Sequence, residues 1–175
     1  MKKIAIFIDG ANLYHSLVAL LDHAKLDYGK FVKKLSQGYE LHRTYYYNVK
    51  LNQQRDPDGY KAQQRFYAHL QRLPFFELRL GVLRKRGSEW VEKGVDVKLA
   101  VDMVGMAYRD QYDTAMLVSG DGDYVECVRA VKNAGKHVMN AYFVSSQSDA
   151  LRDACDNWIC IDKDYLQGLT RERSS

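Results

Sequence analysis

Four aspartates stand where the chain passes from apolar to polar. Asp9 ends the apolar run "KIAIFI" and leads into "GAN". Asp121 and Asp123 follow "TAMLVS" in the segment "SGDGDY", beside Ser119. Asp96 opens the stretch "GVDVKLAVDM", where Val95, Val97 and Leu99 around it argue against a simple solvated face. Each alone has an ordinary explanation. Turns favour Asp, and an Asp at a helix start caps free amides and complements the helix dipole. As a set they suggest a working site. Carboxylates gathered in one cleft repel one another and stay ionised only around positive charge. Hard divalent cations suit such all-oxygen sites. Mg²⁺ takes one or two carboxylates and keeps several waters, and Mn²⁺ can replace it. Such an ion lowers the pKa of a water, orients it and neutralises charge growing on a phosphate, so the expected chemistry is phosphoryl transfer.

Other machinery is missing from the sequence. There is no HExxH pattern, and Cys127, Cys155 and Cys160 form no CxxC and have no His at metal-finger spacing, which disfavours zinc. These three cysteines read as buried free thiols. No GxxxxGK[ST] loop occurs, and "GDG" lacks the further glycine of a dinucleotide fingerprint. An aspartyl-nucleophile phosphatase would want a second Asp where Ala11 stands. No GxSxG motif presents a serine nucleophile.

The elements that must position these residues alternate. "KIAIFI" and "TAMLVS" read as strands buried on both faces. "LHRTYYYNV", "FFELRLGVLRKR", "HVMNAYFV" and "WICI" are further strands, the second with one wetter face. Helical spacing marks "NLYHSLVALLDHA", "DYGKFVKKLSQG", "DGYKAQQRFYAHLQRLP", the mostly buried "GVDVKLAVDMVGMAYRD", "DYVECVRAVKNAG" and the short "SDALRDACD". Strands alternating with helices imply right-handed crossovers and a sheet covered on both sides. The expected fold is a three-layer, Rossmann-like α/β domain with a mostly parallel central sheet, whose ligands bind beyond the carboxyl ends of the strands. On the long helix, Asp96 and Asp102 are six residues apart and point about 120° from each other. One cleft can therefore own only one of them. Asp96, at the helix start, is the candidate, and Asp102 needs its own partner, such as an Arg.

The 175 residues suit one domain, read here as residues 1–168 with a tail at 169–175. Apolar content of 46% with 27% charged residues is ordinary for a globular protein. No apolar run approaches the ~20 residues of a membrane span. Lys2 and Lys3 before "IAIFI" mimic a signal peptide, but Asp9 cuts the run short. A cytoplasmic protein with no membrane partner is expected. The net charge of +4 permits a polyanionic partner without demanding one.

Three segments, "FIDGANL", "KGVDVKLAVDM" and "LVSGDGDYVECVRAVKNAGKHV", together resemble the NYN domain in its LabA-like branch, within the PIN-like nuclease superfamily. They occur in the family's order and span most of the chain. The resemblance implies a PIN-type fold and a Mg²⁺- or Mn²⁺-dependent ribonuclease site. It implies that Asp9, Asp96 and Asp121 hold metal with Asp123 beside them, and that Asn12 and Ser119 orient ligands or waters. PIN-like sites often use four acidic positions. The fourth here is Asp123 or Asp149, the latter also readable as a first-turn residue after Ser148. LabA-like members are often assigned regulatory roles, so one alternative is a non-catalytic RNA-binding or regulatory module; the other, built on the same acids, is a small-molecule phosphohydrolase.

A phosphodiester substrate needs cations near the acids. Lys93 stands three residues before Asp96, and Arg84, Lys85 and Arg86 form a denser group at a strand end or hairpin. Such residues would give affinity without sequence choice. Lys50 and Arg55 flank another strand end. Tyr45, Tyr46 and Tyr47 suggest base stacking, although in a strand at least one must face the core. The expected partner is RNA, single-stranded or structured. A homodimer is compatible with the chain, and the sequence does not fix the oligomeric state.

Overall fold

The computed structural model describes residues 1–171, except the side chain of Lys93. Seven strands form one sheet: β1 (Lys3–Asp9), β2 (Glu40–Lys50), β3 (Phe76–Arg86), β4 (Glu89–Lys93), β5 (Thr114–Val118), β6 (His137–Tyr142) and β7 (Asn157–Cys160). Their spatial order is β4-β3-β2-β1-β5-β6-β7. All neighbours are parallel except the hairpin pair β3 and β4. The expected mostly parallel three-layer sheet is therefore present. Strand β4 is the element that sequence periodicity missed. Its five residues, "EWVEK", include three charges and carry no clear apolar face.

Helices α1 (Gly10–Leu21), α2 (Tyr28–Leu35) and α3 (Pro57–Gln71) cover one face, and α4 (Val95–Tyr108), α5 (Val125–Asn133) and α6 (Asp149–Ala154) cover the other. The pleat of β1 divides its side chains between them. Ile4, Ile6 and Ile8 pack with Leu13, Leu17 and Phe31, while Ala5 and Phe7 pack with Leu99, Met103 and Val128. Burial of each large side chain contributes roughly 2 kcal/mol, so a rigid core stands behind the end of β1.

The helices start where the sequence supplies caps. Asp27 accepts the Lys30 N–H at the head of α2, and Asp56 accepts the Gly59 N–H ahead of α3, which begins on Pro57. Helix α4 departs from the expectation of burial. Leu99, Met103 and Met106 face inward, but Val97, Val101 and Tyr108 are exposed along its outer side. Tyr45, Tyr46 and Tyr47 are all buried, Tyr46 on one face and the other two on the opposite face, so none is a stacking platform. Cys127 and Cys155 are buried free thiols, pushed up to about 11 and about 12, respectively, by desolvation. Cys160 is free and half-buried.

The expected tail is anchored at its start. Leu169 is buried, Thr170 bridges Leu26, and the Arg171 N–H donates to the Lys25 carbonyl. Residues 172–175 lie outside the described residues. No helix among the described residues is long and apolar enough to cross a membrane.

Candidate active site

The strand order runs outward in opposite directions from the β1/β5 pair. In such a sheet the ligand crevice opens beyond the carboxyl ends of the strands at that switch point. Asp9 is the last residue of β1, and Ser119 follows β5 directly. Gly10 is required here because a Cβ would stand 2.6 Å from the Tyr46 ring and 2.7 Å from the Tyr47 carbonyl. The chain thus turns from β1 into α1 against β2, with Asp9 as the helix cap.

Asp9 is 6% exposed. Its Oδ1 accepts the Asn12 N–H at 3.2 Å, and its Oδ2 accepts the Ser119 hydroxyl at 3.2 Å. The Tyr124 hydroxyl lies 3.3 Å from Asp9 Oδ2 and 3.4 Å from Asp96 Oδ1. One phenolic proton therefore stands between two carboxylates, and it can serve only one at a time. Burial holds the Asp9 carboxyl above its ordinary value, with Asp96 adding to the rise; the bonds from Asn12, Ser119 and Tyr124 oppose it. The Tyr124 phenol is pushed far up by its burial and by the charges of Asp9, Asp96 and Asp121. It stays protonated.

The loop after β5 is braced from two sides. The Asp121 N–H donates to Ser119 Oγ at 3.1 Å, which links that loop to Asp9 through a single hydroxyl. Asp121 in turn accepts the Asp123 N–H at 2.9 Å. Asn12 Oδ1 accepts the Gly120 N–H at 3.1 Å and lies 3.4 Å from the Ser146 hydroxyl. Buried Asn140, on β6, holds the Ser119 carbonyl at 2.8 Å. Gly120 is closely covered: a Cβ there would lie 1.8 Å from the Ser146 carbonyl oxygen.

The structure thus joins Asp9, Asn12, Asp96, Ser119 and Asp121 through one hydrogen-bonded network with Tyr124. Asp123 sits exposed at its rim, tied in by its backbone. Asp96 is exposed rather than enclosed by its valines, and it reaches the network through Tyr124. Asp149 is apart: it is exposed on α6, accepts from Gln147 and pairs with Arg152 at 3.6 Å. Asp102 has the separate partners expected of it, the Tyr47 hydroxyl at 2.9 Å and Arg79 at 3.9 Å. Tyr124 and Asn140 are the residues that sequence reasoning missed. The only sequence signal was the aromatic that closes "GDGDY"; nothing in "HVMNAY" set Asn140 apart.

Arg84, Lys85 and Arg86 are exposed on the β3–β4 hairpin, past the last β2 pairing at Lys50 and Val82. Lys93 pairs with Val82 through the backbone, and its side chain lies outside the described residues.

Among the described residues, no three carboxylate, imidazole or thiol side chains converge as a ready-made metal cage. The acids that do meet are Asp9 and Asp96, on either side of Tyr124. No salt bridge to Asp9, Asp96, Asp121 or Asp123 occurs among the described residues. A buried carboxylate held above its ordinary pKa, a second acid sharing the Tyr124 phenol, and no cationic partner among the described residues fit a hydrated ion that takes few protein ligands.

This fold, with acids at the switch point of its sheet, is that of a nuclease-like α/β domain. The family model of the NYN domain matches residues 3–162, and the chain belongs to that family, within the PIN-like nuclease superfamily. A crystal structure of a protein of unknown function from Vibrio parahaemolyticus is similar, with a TM-score of 0.74 and 28% sequence identity over 93% of this chain and 94% of that one. No curated protein matches the chain.

Proposed function

We propose that this protein is a metal-dependent ribonuclease of the LabA-like branch, hydrolysing RNA phosphodiester bonds with Mg²⁺ or Mn²⁺. The observation that carries the reading is the Asp9–Tyr124–Asp96 arrangement, a buried acid and a neighbouring acid at the switch point with no described cationic partner. Asp9 and Asp96 would hold the cation, with Asp121 alongside. When bound, the ion supplies Lewis acidity, making water a better nucleophile and offsetting charge on the phosphate.

The chain's own residues have separable tasks. Asn12 N–H, Ser119 and Tyr124 favour the ionised form of Asp9 and fix its two oxygens in place. Ser119 couples that orientation to the Asp121 backbone, so the loop and the strand end move together. Asn12 uses Oδ1 on Gly120, which leaves its amide N–H groups to donate to a phosphate oxygen. Asp123, at the solvent rim, is placed to take a proton from the attacking water. Lys85 and Lys93 are the proposed phosphate contacts, while Arg84 and Arg86 add to the long-range attraction of a polyanion.

A non-catalytic RNA-binding module draws support from one observation, the absence of a closed three-donor cage among the described residues. A single assay separates the readings. Purified protein is incubated with labelled single-stranded RNA, DNA and nucleotides in Mn²⁺, Mg²⁺ or EDTA. Ion-dependent shortening of RNA supports the ribonuclease. RNA retention without cleavage in any ion supports the binding module. Turnover of nucleotides alone supports the small-molecule phosphohydrolase.

A further inference from the structure

The three basic residues of the hairpin do not form one patch. On β3, Glu77 and Arg79 lie on the face of α4: Arg79 stacks over Tyr45 and pairs with Asp102 of that helix. Strand alternation carries the same face to Leu83 and Lys85, and sends Arg84 and Arg86 to the opposite face. The antiparallel register sets Trp90 directly across from Lys85 and Val91 across from Arg84. Directly opposed residues share a face. Lys85 and Trp90 are therefore neighbours on the α4 side. Asp9 is on that side too, since it follows Phe7 in alternation and meets Tyr124 and Asp96 there.

Distances along the sheet give this pair its meaning. Asp9 is level with Tyr47 on β2 and Arg79 on β3. Lys85 lies six residues further, which is about 20 Å beyond the site at the usual rise of a strand. Only a polymer spans that gap. Lys98 of α4 stands along the way, exposed, with its ammonium 3.3 Å from the Leu80 carbonyl. Trp90 is half-buried beside an exposed lysine, so its ring has an accessible part. An aromatic face next to an ammonium is the combination that grips a single strand: the ring stacks on a base, whatever its identity, while the cation meets a phosphate.

We infer that the β3–β4 hairpin is a gripping arm for single-stranded RNA, in which Trp90 stacks on a base and Lys85 meets a phosphate, on the face that carries Asp9. The inference rests on the ribonuclease reading of the site and extends it to the path of the strand. Arg84 and Arg86 face away from that path.

The chain has two tryptophans, Trp90 and Trp158. Trp158→Phe therefore leaves Trp90 as the sole indole reporter. This protein is titrated with polyuridylate in EDTA, with uridine monophosphate as the short control. Polyuridylate should quench the Trp90 emission, and the monophosphate should not. Trp90→Ala should weaken polyuridylate binding about tenfold or more, and Trp90→Phe should restore most of it. Lys85→Ala should lower the salt slope of binding by about one, and Arg84→Ala should leave it unchanged. Unaltered Trp90 emission at saturation, or an unaltered Kd in Trp90→Ala, overturns the arm. RNA cleavage by such a protein would still uphold the ribonuclease. Quenching without cleavage in Mn²⁺ or Mg²⁺ upholds the arm and overturns the ribonuclease.

Discussion

At the scale of the residue, Asp9 carries a cost that its neighbours only partly offset. Its carboxyl is held above the ordinary value in the folded chain, chiefly by burial. An acid in that state binds its proton more tightly folded than unfolded. Stability is therefore lost as pH rises from the ordinary carboxylate range through the raised value, and the full loss is present above it. Asp9→Asn keeps an N-cap for α1 and removes the charge. Without divalent ions it should melt higher than the parent at neutral pH, with the advantage shrinking as pH falls through the raised value toward the ordinary carboxylate range. Thermal melts across pH check this; an advantage that grows on acidification would contradict it. Asp96 and Asp102 make a second contrast. Asp102 is tied to Tyr47 and Arg79 and belongs to the packing of α4 on β2 and β3. Asp102→Asn should cost about 1 kcal/mol of stability and leave ion-dependent cleavage in place. Asp96→Asn should keep or raise the melting temperature and lose cleavage. A stable, inactive Asp102→Asn beside an active Asp96→Asn would assign the site to the wrong face of α4.

At the scale of the element, the site is a junction of β1, β5, α4 and the loop after β6. Gly120 is the tightest point of that junction, with the Ser146 backbone directly over it. Gly120→Ala must push the 144–148 loop away, and with it the Ser146 contact to Asn12. It should cost several kcal/mol, on the scale of overpacking, and should lower cleavage more than a distant variant of equal stability does. Melts and initial rates measure both. These contacts also mark the limit of what the sequence showed. The strands β1 and β5 were plain because each is a short apolar run ending in polar residues, and their ends located Asp9, Ser119 and Asp121. Strand β4 was hidden because a charged five-residue edge strand has almost no periodicity. Helix α4 reads as mostly buried because Val97 and Val101 are apolar, and apolar type does not tell which side of a helix meets the sheet. Tyr124 and Asn140 were unreadable for another reason: their roles lie in contacts across more than twenty residues of chain, to Asp96 and to Ser119.

At the scale of the whole molecule, charge is distributed unevenly along the carboxyl edge of the sheet. Lys50, Arg84, Lys85 and Arg86 stand on the side of β2 to β4 and outnumber Glu89 and Glu92 of β4, while Asp121, Asp123 and Asp149 stand on the side of β5 to α6. Asp9 and Asp96 lie between the two halves. A polyanion would be drawn along the cationic half and meet the acids only where a divalent ion offsets their repulsion. The ion should therefore stabilise the native protein by mass action, and the effect should vanish with the buried acid. The most direct test of the central claim is cleavage of labelled single-stranded RNA by the parent protein and by Asp9→Asn, each in Mn²⁺, Mg²⁺ and EDTA, with melts confirming that both are folded. The account predicts shortened RNA for the parent with either ion, none in EDTA, and none for Asp9→Asn under any condition. Cleavage that persists in EDTA, or that survives in folded Asp9→Asn, would contradict it.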